Sequence, residues 1–344
     1  MENAAFELYT ALSASHEVTL IKWGGANKLL PVVYPWLLLR ALLAGLKRRP
    51  DVVYLQDGLM GPLGLILKVC LRRPTLMTIH GLEATYANPL YRAVVPPCIK
   101  RQNQLVAVSN ETKQKVLQGL PGTQPTVIFN GLRDSFYQAR GRGEQLAVIA
   151  QETGIPLGQL QASKLLHTNG RLVPRKGVLW FIDNVMPQLQ NAAQPVLYLV
   201  SGTGKQREVI EAAIQERGLQ DQVKLLGRVS DQLLQALYNA ADIFVMPNVP
   251  IPNNMEGFGL VALEAASCGT MVVASRLEGI PDAIQHGQNG LLVRPGDAAE
   301  YLAVISRELQ RRSLSPQAVR DFTLSHYSWD ETARQYVELM QALV

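Results

Sequence analysis

Short apolar runs alternate with longer mixed stretches along almost the whole chain. In the first part these runs are "EVTLIKW" (17–23), "DVVYLQ" (51–56), "TLMTIH" (75–80), "QLVAVS" (104–109) and "PTVIFNG" (125–131). They are rich in Val, Ile, Leu and Thr and close on polar or glycine residues, which predicts short buried strands. Stretches near 35–48, 61–72, 89–101 and 110–119 separate them and are expected as helices. Runs with so little internal polar alternation fit parallel strands covered on both faces.

Residues 138–163, "QARGRGEQLAVIAQETGIPLGQLQAS", interrupt this rhythm, and the connection between two domains is expected here. The alternation resumes with "KLLHTNG", "PVLYLVSG", "VKLLG", "IFVMP", "MVVAS" and "NGLLV" as strands, and ends in helical stretches near 297–312 and 330–343. The pattern predicts two doubly wound α/β domains in series. Such sheets bind ligands at the carboxyl ends of their strands, so a cleft between the domains is the expected site.

Composition narrows the class. A chain of 344 residues with 47% hydrophobic and 18% charged residues has material for two packed cores. Its net charge of +5 suits an anionic partner without choosing among nucleotide, phosphate, lipid and nucleic acid. No basic-aromatic stripe favours nucleic acid. Cys70, Cys98 and Cys268 lie far apart and are expected as reduced thiols, not a disulfide or zinc framework. The start carries acids where a secretory leader would be basic, and residues 29–46 are interrupted by two prolines and Arg40. The expectation is a cytoplasmic protein.

Three stretches carry chemistry. In "TNGRLVPRKGV" (168–178) a strand ends at Asn169-Gly170 and the cations Arg171, Arg175 and Lys176 follow. Cations at a strand's carboxyl end and a helix amino terminus can bind phosphate, although a solvated basic turn has the same composition. In "YLVSGTGKQREV" (198–209) Gly202 and Gly204 follow a strand, but Arg207 stands where a dinucleotide fingerprint needs its third glycine. A tight structural turn and a ligand-facing turn both remain open there. In "EGFGLVALEAASCG" (256–269) Glu256 precedes a helix start at Gly257-Phe258-Gly259, and Glu264 lies inside an otherwise apolar helix. A carboxylate there can accept paired hydrogen bonds from vicinal hydroxyls, or pair with a cation in the core.

This last stretch, with seven residues between its two glutamates, resembles the donor-site motif of the retaining family 4 glycosyltransferases. "GRLVPRKG" resembles their diphosphate loop, and "GRVSDQLLQALYNAADIFVMPN" and "EGIPDAIQHGQNGLLVRPGD" resemble the segments flanking the motif. "TIHG", "VIFNGLRDSF" and the closing "HYSWDETARQYVELM" are similar to their remaining signatures. The resemblance implies a GT-B fold: two Rossmann-like domains facing a cleft, at 1–142 and 143–325, with the helix at 326–344 crossing back to the first. It implies that Arg171 and Lys176 neutralise a donor diphosphate and that Glu264 holds a ribose. It further implies that Glu256 contacts the sugar, with Gly257, Phe258, Gly259 and Leu260 beside it, and that His80 lies near the reacting carbon. Gly170, Gly202 and Val229 complete the expected donor contacts, whereas His167 is expected to be structural. Such enzymes take a UDP- or GDP-sugar, use no metal or other cofactor, and keep the anomeric configuration while glycosylating a glycan, a lipid-linked acceptor or a small molecule.

The resemblance also exposes departures. The family opens with a strand and a glycine-rich loop, whereas this chain begins within the following helix, so weak donor binding and slow transfer are expected. A sugar-nucleotide 2-epimerase and a nucleotide-sugar-binding protein of little activity are the competing functions. "YPWLLLRALLAGLKRR" (34–49) and "LGLILKVCLRR" (63–73) end in cations and raise a further expectation of peripheral contact with anionic membrane; burial against the sheet is the alternative.

Overall fold

The computed structural model describes every residue except 1, 25–29, 82–87, 133–135, 138–140, 191–193 and 253. Part of "VIFNGLRDSF", the start of the expected connection and Asn253 of the loop before Glu256 therefore lie outside the described residues. The chain forms two units, Met1–Gly131 with Tyr327–Val344, and Leu132–His326.

The first unit holds a parallel sheet of four strands, β1 (Val53–Leu55), β2 (Thr75–Ile79), β3 (Gln104–Ala107) and β4 (Thr126–Val127), in that spatial order. Alternate residues feed opposite faces, as a pleated strand requires. Leu76, Val106 and Ile128 meet Leu8 and Leu12 of the Glu2–Ser13 helix and Ala333 and Tyr336 of the Trp329–Gln341 helix. Met77, Ile79 and Leu105 meet Leu37, Leu63, Leu67, Val95 and Ile99 on the other face. The terminal helix is tied down by the Tyr336 hydroxyl, 2.8 Å from Thr78 Oγ1.

The expected strand at 17–23 does not form. Val18 and Ile21 pack onto the two apolar clusters, but no ladder bonds join this segment to β1, and Leu20 and Trp23 stay exposed. Apolar content made it resemble a strand; without a neighbour to bond, the backbone remains irregular.

The second unit holds β5 (Lys164–Asn169), β6 (Val196–Ser201), β7 (Val223–Gly227), β8 (Ile243–Met246), β9 (Met271–Ser275) and β10 (Leu291–Val293). All pairs are parallel and the order is β10-β9-β8-β5-β6-β7. Successive strands run outward from β5 through β6 to β7, then return to β8 on its other side. The order thus reverses between β5 and β8, the position where an open α/β sheet leaves a crevice at its strand ends. Leu166, Tyr198, Val200, Val245 and Val273 pack under one helical layer, and Leu165, Leu197 and Leu199 under the other.

The expected irregular connection is partly helical. Arg142–Thr153 and Leu157–Ala162 form helices in the second unit and bury Leu146, Ile149 and Leu160. The apolar stripe is only a few residues wide among Gln, Glu and Thr, so its 3.6-residue period is hard to see. Arg142 is anchored by its Nη2 donating to Asp242 at 2.8 Å.

Candidate active site

The site residues of the second unit are delivered by the carboxyl ends of β5, β6, β8 and β9. After β5 the chain turns through Gly170, with φ of 150°, into the exposed Arg171 and then a short turn of 3₁₀ helix, Pro174–Lys176. The turn after β6 lies directly against it: Leu172 N–H donates to Thr203 O at 2.9 Å. A Cβ on Gly202, whose φ is 121°, would stand 1.9 Å from Gly170 O. Gly202 therefore serves close backbone packing between two loops.

The cations do not all point the same way. Arg175, not Arg171, is the buried guanidinium, at 8% exposure. Its Nη1 donates to Glu256 Oε2, on which Lys176 Nζ (2.6 Å) and Asn248 Nδ2 (3.1 Å) also converge. The Glu256 amide donates to the Glu278 carboxylate, from the segment after β9. Three donors on one oxygen fix the carboxylate while leaving Oε1 outside this cluster. Burial would push the Glu256 carboxyl up, but the Lys176 and Arg175 charges overcome it and hold it below its ordinary range. Burial pulls the Lys176 ammonium down, with Glu256 opposing and Arg175 and Arg171 adding repulsion.

Glu264 sits on the Leu260–Ser267 helix, whose N-cap Gly259 has φ of 93° and no capping side chain. This helix enters through Phe258, which is buried. Glu264 Oε2 accepts from the Tyr238 hydroxyl at 2.7 Å. Burial raises the Glu264 carboxyl to about 7, against the Tyr238 hydrogen bond and the charge of Lys176, which act to lower it. Lys176 thus feels Arg171, Arg175 and Glu256, and acts on Glu264 in turn, so the cations and both glutamates form one electrostatic cluster.

The remaining expected residues have their own surroundings. Val229 packs against the apolar group containing Leu146 and Leu233. His80 follows β2 in the first unit, with Nε2 3.0 Å from Gln56 O. His167 is fully buried, bonded through Nε2 to Ser201 Oγ at 3.0 Å, and stacked edge-on to Tyr238 and Phe244. Burial lowers its pKa to about 3, so it is a neutral structural residue. Sequence reasoning named Arg175 without giving it a site role and did not single out Tyr238, Asn248 or Glu278. Glu278 carried a signal, standing immediately before Gly279-Ile280-Pro281 in a turn it enters with φ of 52°.

Two parallel-sheet α/β units, one with its charged cluster at the sheet's switch point, define a protein of the GT-B class. Residues 163–311 match the family model described as Glycosyl transferases group 1, and residues 1–136 match Glycosyltransferase Family 4. The two matches fall in the two halves of the chain, one from each model. An uncharacterised glycosyltransferase of Methanocaldococcus jannaschii is 28% identical over 302 residues, 84% of this chain and 74% of that protein. A D-inositol 3-phosphate glycosyltransferase of Corynebacterium jeikeium is 28% identical over 315 residues, 85% of this chain and 72% of that protein. The Anabaena protein HepE, solved with UDP-glucose, aligns with a TM-score of 0.71 at 23% identity, covering 89% of this chain and 82% of its own. At that identity the likeness speaks for the fold alone.

Proposed function

We propose that this protein is a retaining glycosyltransferase that moves a sugar from a UDP- or GDP-sugar to a glycan, lipid-linked or small-molecule acceptor in glycoconjugate or surface-polysaccharide synthesis. The observation that carries this reading is the meeting of Lys176 with Glu256 and, electrostatically, with Arg171 and Glu264 at the β5/β8 switch point. HepE's UDP-glucose gives the donor class a precedent on this fold.

Each group then has a task. Arg171 and Lys176 face the donor diphosphate. As the bond from the anomeric carbon to the phosphate oxygen breaks, negative charge grows on that oxygen, and preorganised cations stabilise it without a metal. The acceptor hydroxyl forms the new bond on the same face, and its proton passes to the departing phosphate oxygen. Glu256 Oε1 accepts from sugar hydroxyls, and Glu264 Oε1 and Oε2 share the ribose hydroxyls and Tyr238. The backbone at Gly257–Leu260 lines the same entry.

Incubation with labelled UDP- and GDP-sugars tests this. The expected result is release of nucleoside diphosphate with retained configuration in the product, and loss of release in Lys176→Ala and Glu264→Ala. An epimerised donor, or no change in thermal stability with any nucleotide sugar, would overturn it.

A further inference from the structure

The second unit begins at Leu132, and Phe136 and Tyr137 lie against the helices around Glu264. Neither belongs to a helix or strand. The Phe136 ring meets the Tyr238 ring edge to face, with centroids 5.4 Å apart and an interplanar angle of 89°. The Phe136 carbonyl accepts from Asn239 Nδ2 at 2.7 Å, on the same Asp231–Ala240 helix.

Tyr238 is fully buried and packs on three rings among the described residues. His167 and Phe244 come from β5 and β8, whose backbones the sheet fixes. Phe136 comes from irregular backbone and holds the phenol on a side that the sheet does not. That phenol donates to Glu264 Oε2 at 2.7 Å. Edge-to-face ring pairs are directional, so Phe136 restrains the orientation of the phenol as well as covering it.

Tyr137 reaches the far end of the Glu264 helix. Its ring, 42% exposed as a residue, lies 3.8 Å from the Arg320 guanidinium of the Pro316–His326 helix. Arg320 Nη1 donates to Ser267 O, at the last residue of the Leu260–Ser267 helix. Carbonyls there lack partners within the helix, and a cation suits the negative end of its dipole. Ser267 Oγ donates back to Glu264 O at 2.7 Å. The two helices are held close, for a Cβ on Gly269 would stand 2.7 Å from Pro316 O.

We propose that Phe136 and Tyr137 are positioning residues for Glu264. The start of the second unit aims the carboxylate through Tyr238 and steadies its helix through Arg320. This rests on the reading of Glu264 as the acceptor for ribose hydroxyls. An anchor of the chain could end on any apolar patch. These adjacent residues instead reach the phenol that donates to Glu264 and the cation that caps its helix. Burial acts on the Glu264 charge, together with Tyr238 from the Asp231–Ala240 helix and Lys176 from the Pro174–Lys176 turn. A phenol that turns away donates less to the ionised form, and the carboxyl becomes harder to ionise.

Phe136→Leu tests this, since it keeps the contact apolar and removes the ring. Carbon-13 NMR titration of the Glu264 carboxyl without ligand, assigned with Glu264→Gln, should move up from about 7. Calorimetry at pH 7 with UDP and with GDP should show affinity for the nucleotide that wild type binds falling about fivefold, and returning as pH rises. Phe136→Tyr, which keeps the ring, should match wild type. In a Tyr238→Phe background Phe136→Leu should change neither reading, because the route is already cut. Tyr137→Leu, at an exposed position, should lower affinity about twofold. An unmoved titration with unchanged affinity in Phe136→Leu would overturn the proposal. So would equal losses in both Tyr238 backgrounds, which mark general loosening of the packing. The carboxyl titration needs no nucleotide. A wild type that binds neither UDP nor GDP therefore sinks the donor-site reading, while an upward move of the titration still supports the positioning of Glu264.

Discussion

The Tyr238 phenol stands between Asn169 and Glu264, accepting from Asn169 Nδ2 at 2.9 Å and donating to Glu264 Oε2 at 2.7 Å. Behind it, Asn169 Oδ1 accepts from Ser201 Oγ at 3.0 Å, and Ser201 Oγ lies 3.0 Å from His167 Nε2. Because the serine proton is spent on Asn169, His167 must donate from Nε2. Every hydrogen of this chain points toward one carboxylate, so a fully buried histidine orients Glu264, the residue proposed to hold the ribose, without reaching that site itself.

Tyr238→Phe removes the last link. Asn169 loses an acceptor and Glu264 loses a donor that lowers its pKa. Stability is expected to fall by about 1 kcal/mol, and UDP affinity at neutral pH by roughly tenfold, as the carboxyl becomes harder to ionise. Calorimetric titration should show part of that affinity returning at higher pH; an unchanged affinity would mean that Glu264 needs no such support.

The raised Glu264 carboxyl makes both binding and folding pH-dependent. Its folded pKa of about 7 exceeds the ordinary 4.5, so between these values the folded state holds a proton that the unfolded state has lost. Stability from this group is therefore complete below pH ~4.5 and is lost as pH rises toward 7, on the order of 3 kcal/mol in total. Ribose hydroxyls donate best to the ionised form, so donor affinity should rise over the same range. Burial raises the midpoint, and Tyr238 and Lys176, which face the group, act to lower it. Glu264→Gln should flatten both profiles in denaturant melts and binding titrations.

Glu256 neutralises Arg175 and Lys176 in the unliganded protein. Glu256→Gln leaves two largely buried cations unpaired and is expected to cost about 3 kcal/mol. A diphosphate then meets less competition, so UDP should raise the melting temperature more in the variant than in wild type. Sugar transfer should nevertheless be lost, since the carboxylate proposed to accept from the sugar is gone. A smaller UDP shift in the variant would show that the ion pairs do not compete with phosphate.

Gly202→Ala tests the packed turns. A Cβ there would overlap the Gly170 carbonyl, and the positive φ disfavours any side chain. The expected loss is more than about 2 kcal/mol, with donor affinity falling because the Arg171 loop shifts. Gly154→Ala has open space at its Cβ and only the strain of φ at 72°, and should cost about 1 kcal/mol.

Much of the fold is legible in the chain because buried parallel strands are continuous apolar runs. "TLMTI", "PVLYLVS" and "MVVAS" read as β2, β6 and β9 without ambiguity. The segment at 17–23 misled because apolar content reports burial, whereas a strand needs a bonded neighbour. The helix at Arg142–Thr153 was hidden for the opposite reason, its buried stripe being narrow in a polar surround. In the site, the two glutamates and the basic loop stood out by spacing, but nothing local distinguishes Arg175 from Arg171.

What the sequence determined by itself is the position of strands β1 to β10 and the order of the charged loops between them, since both follow from residue type along one dimension. Which cation enters the core, which oxygen of Glu256 it takes, and the neutral histidine that aims Glu264 were decided only when β5, β6, β8 and β9 came side by side. The exposed stripe of the Leu30–Arg48 helix belongs there too. An apolar helix can be buried on one face, the other or both, and only its neighbours choose.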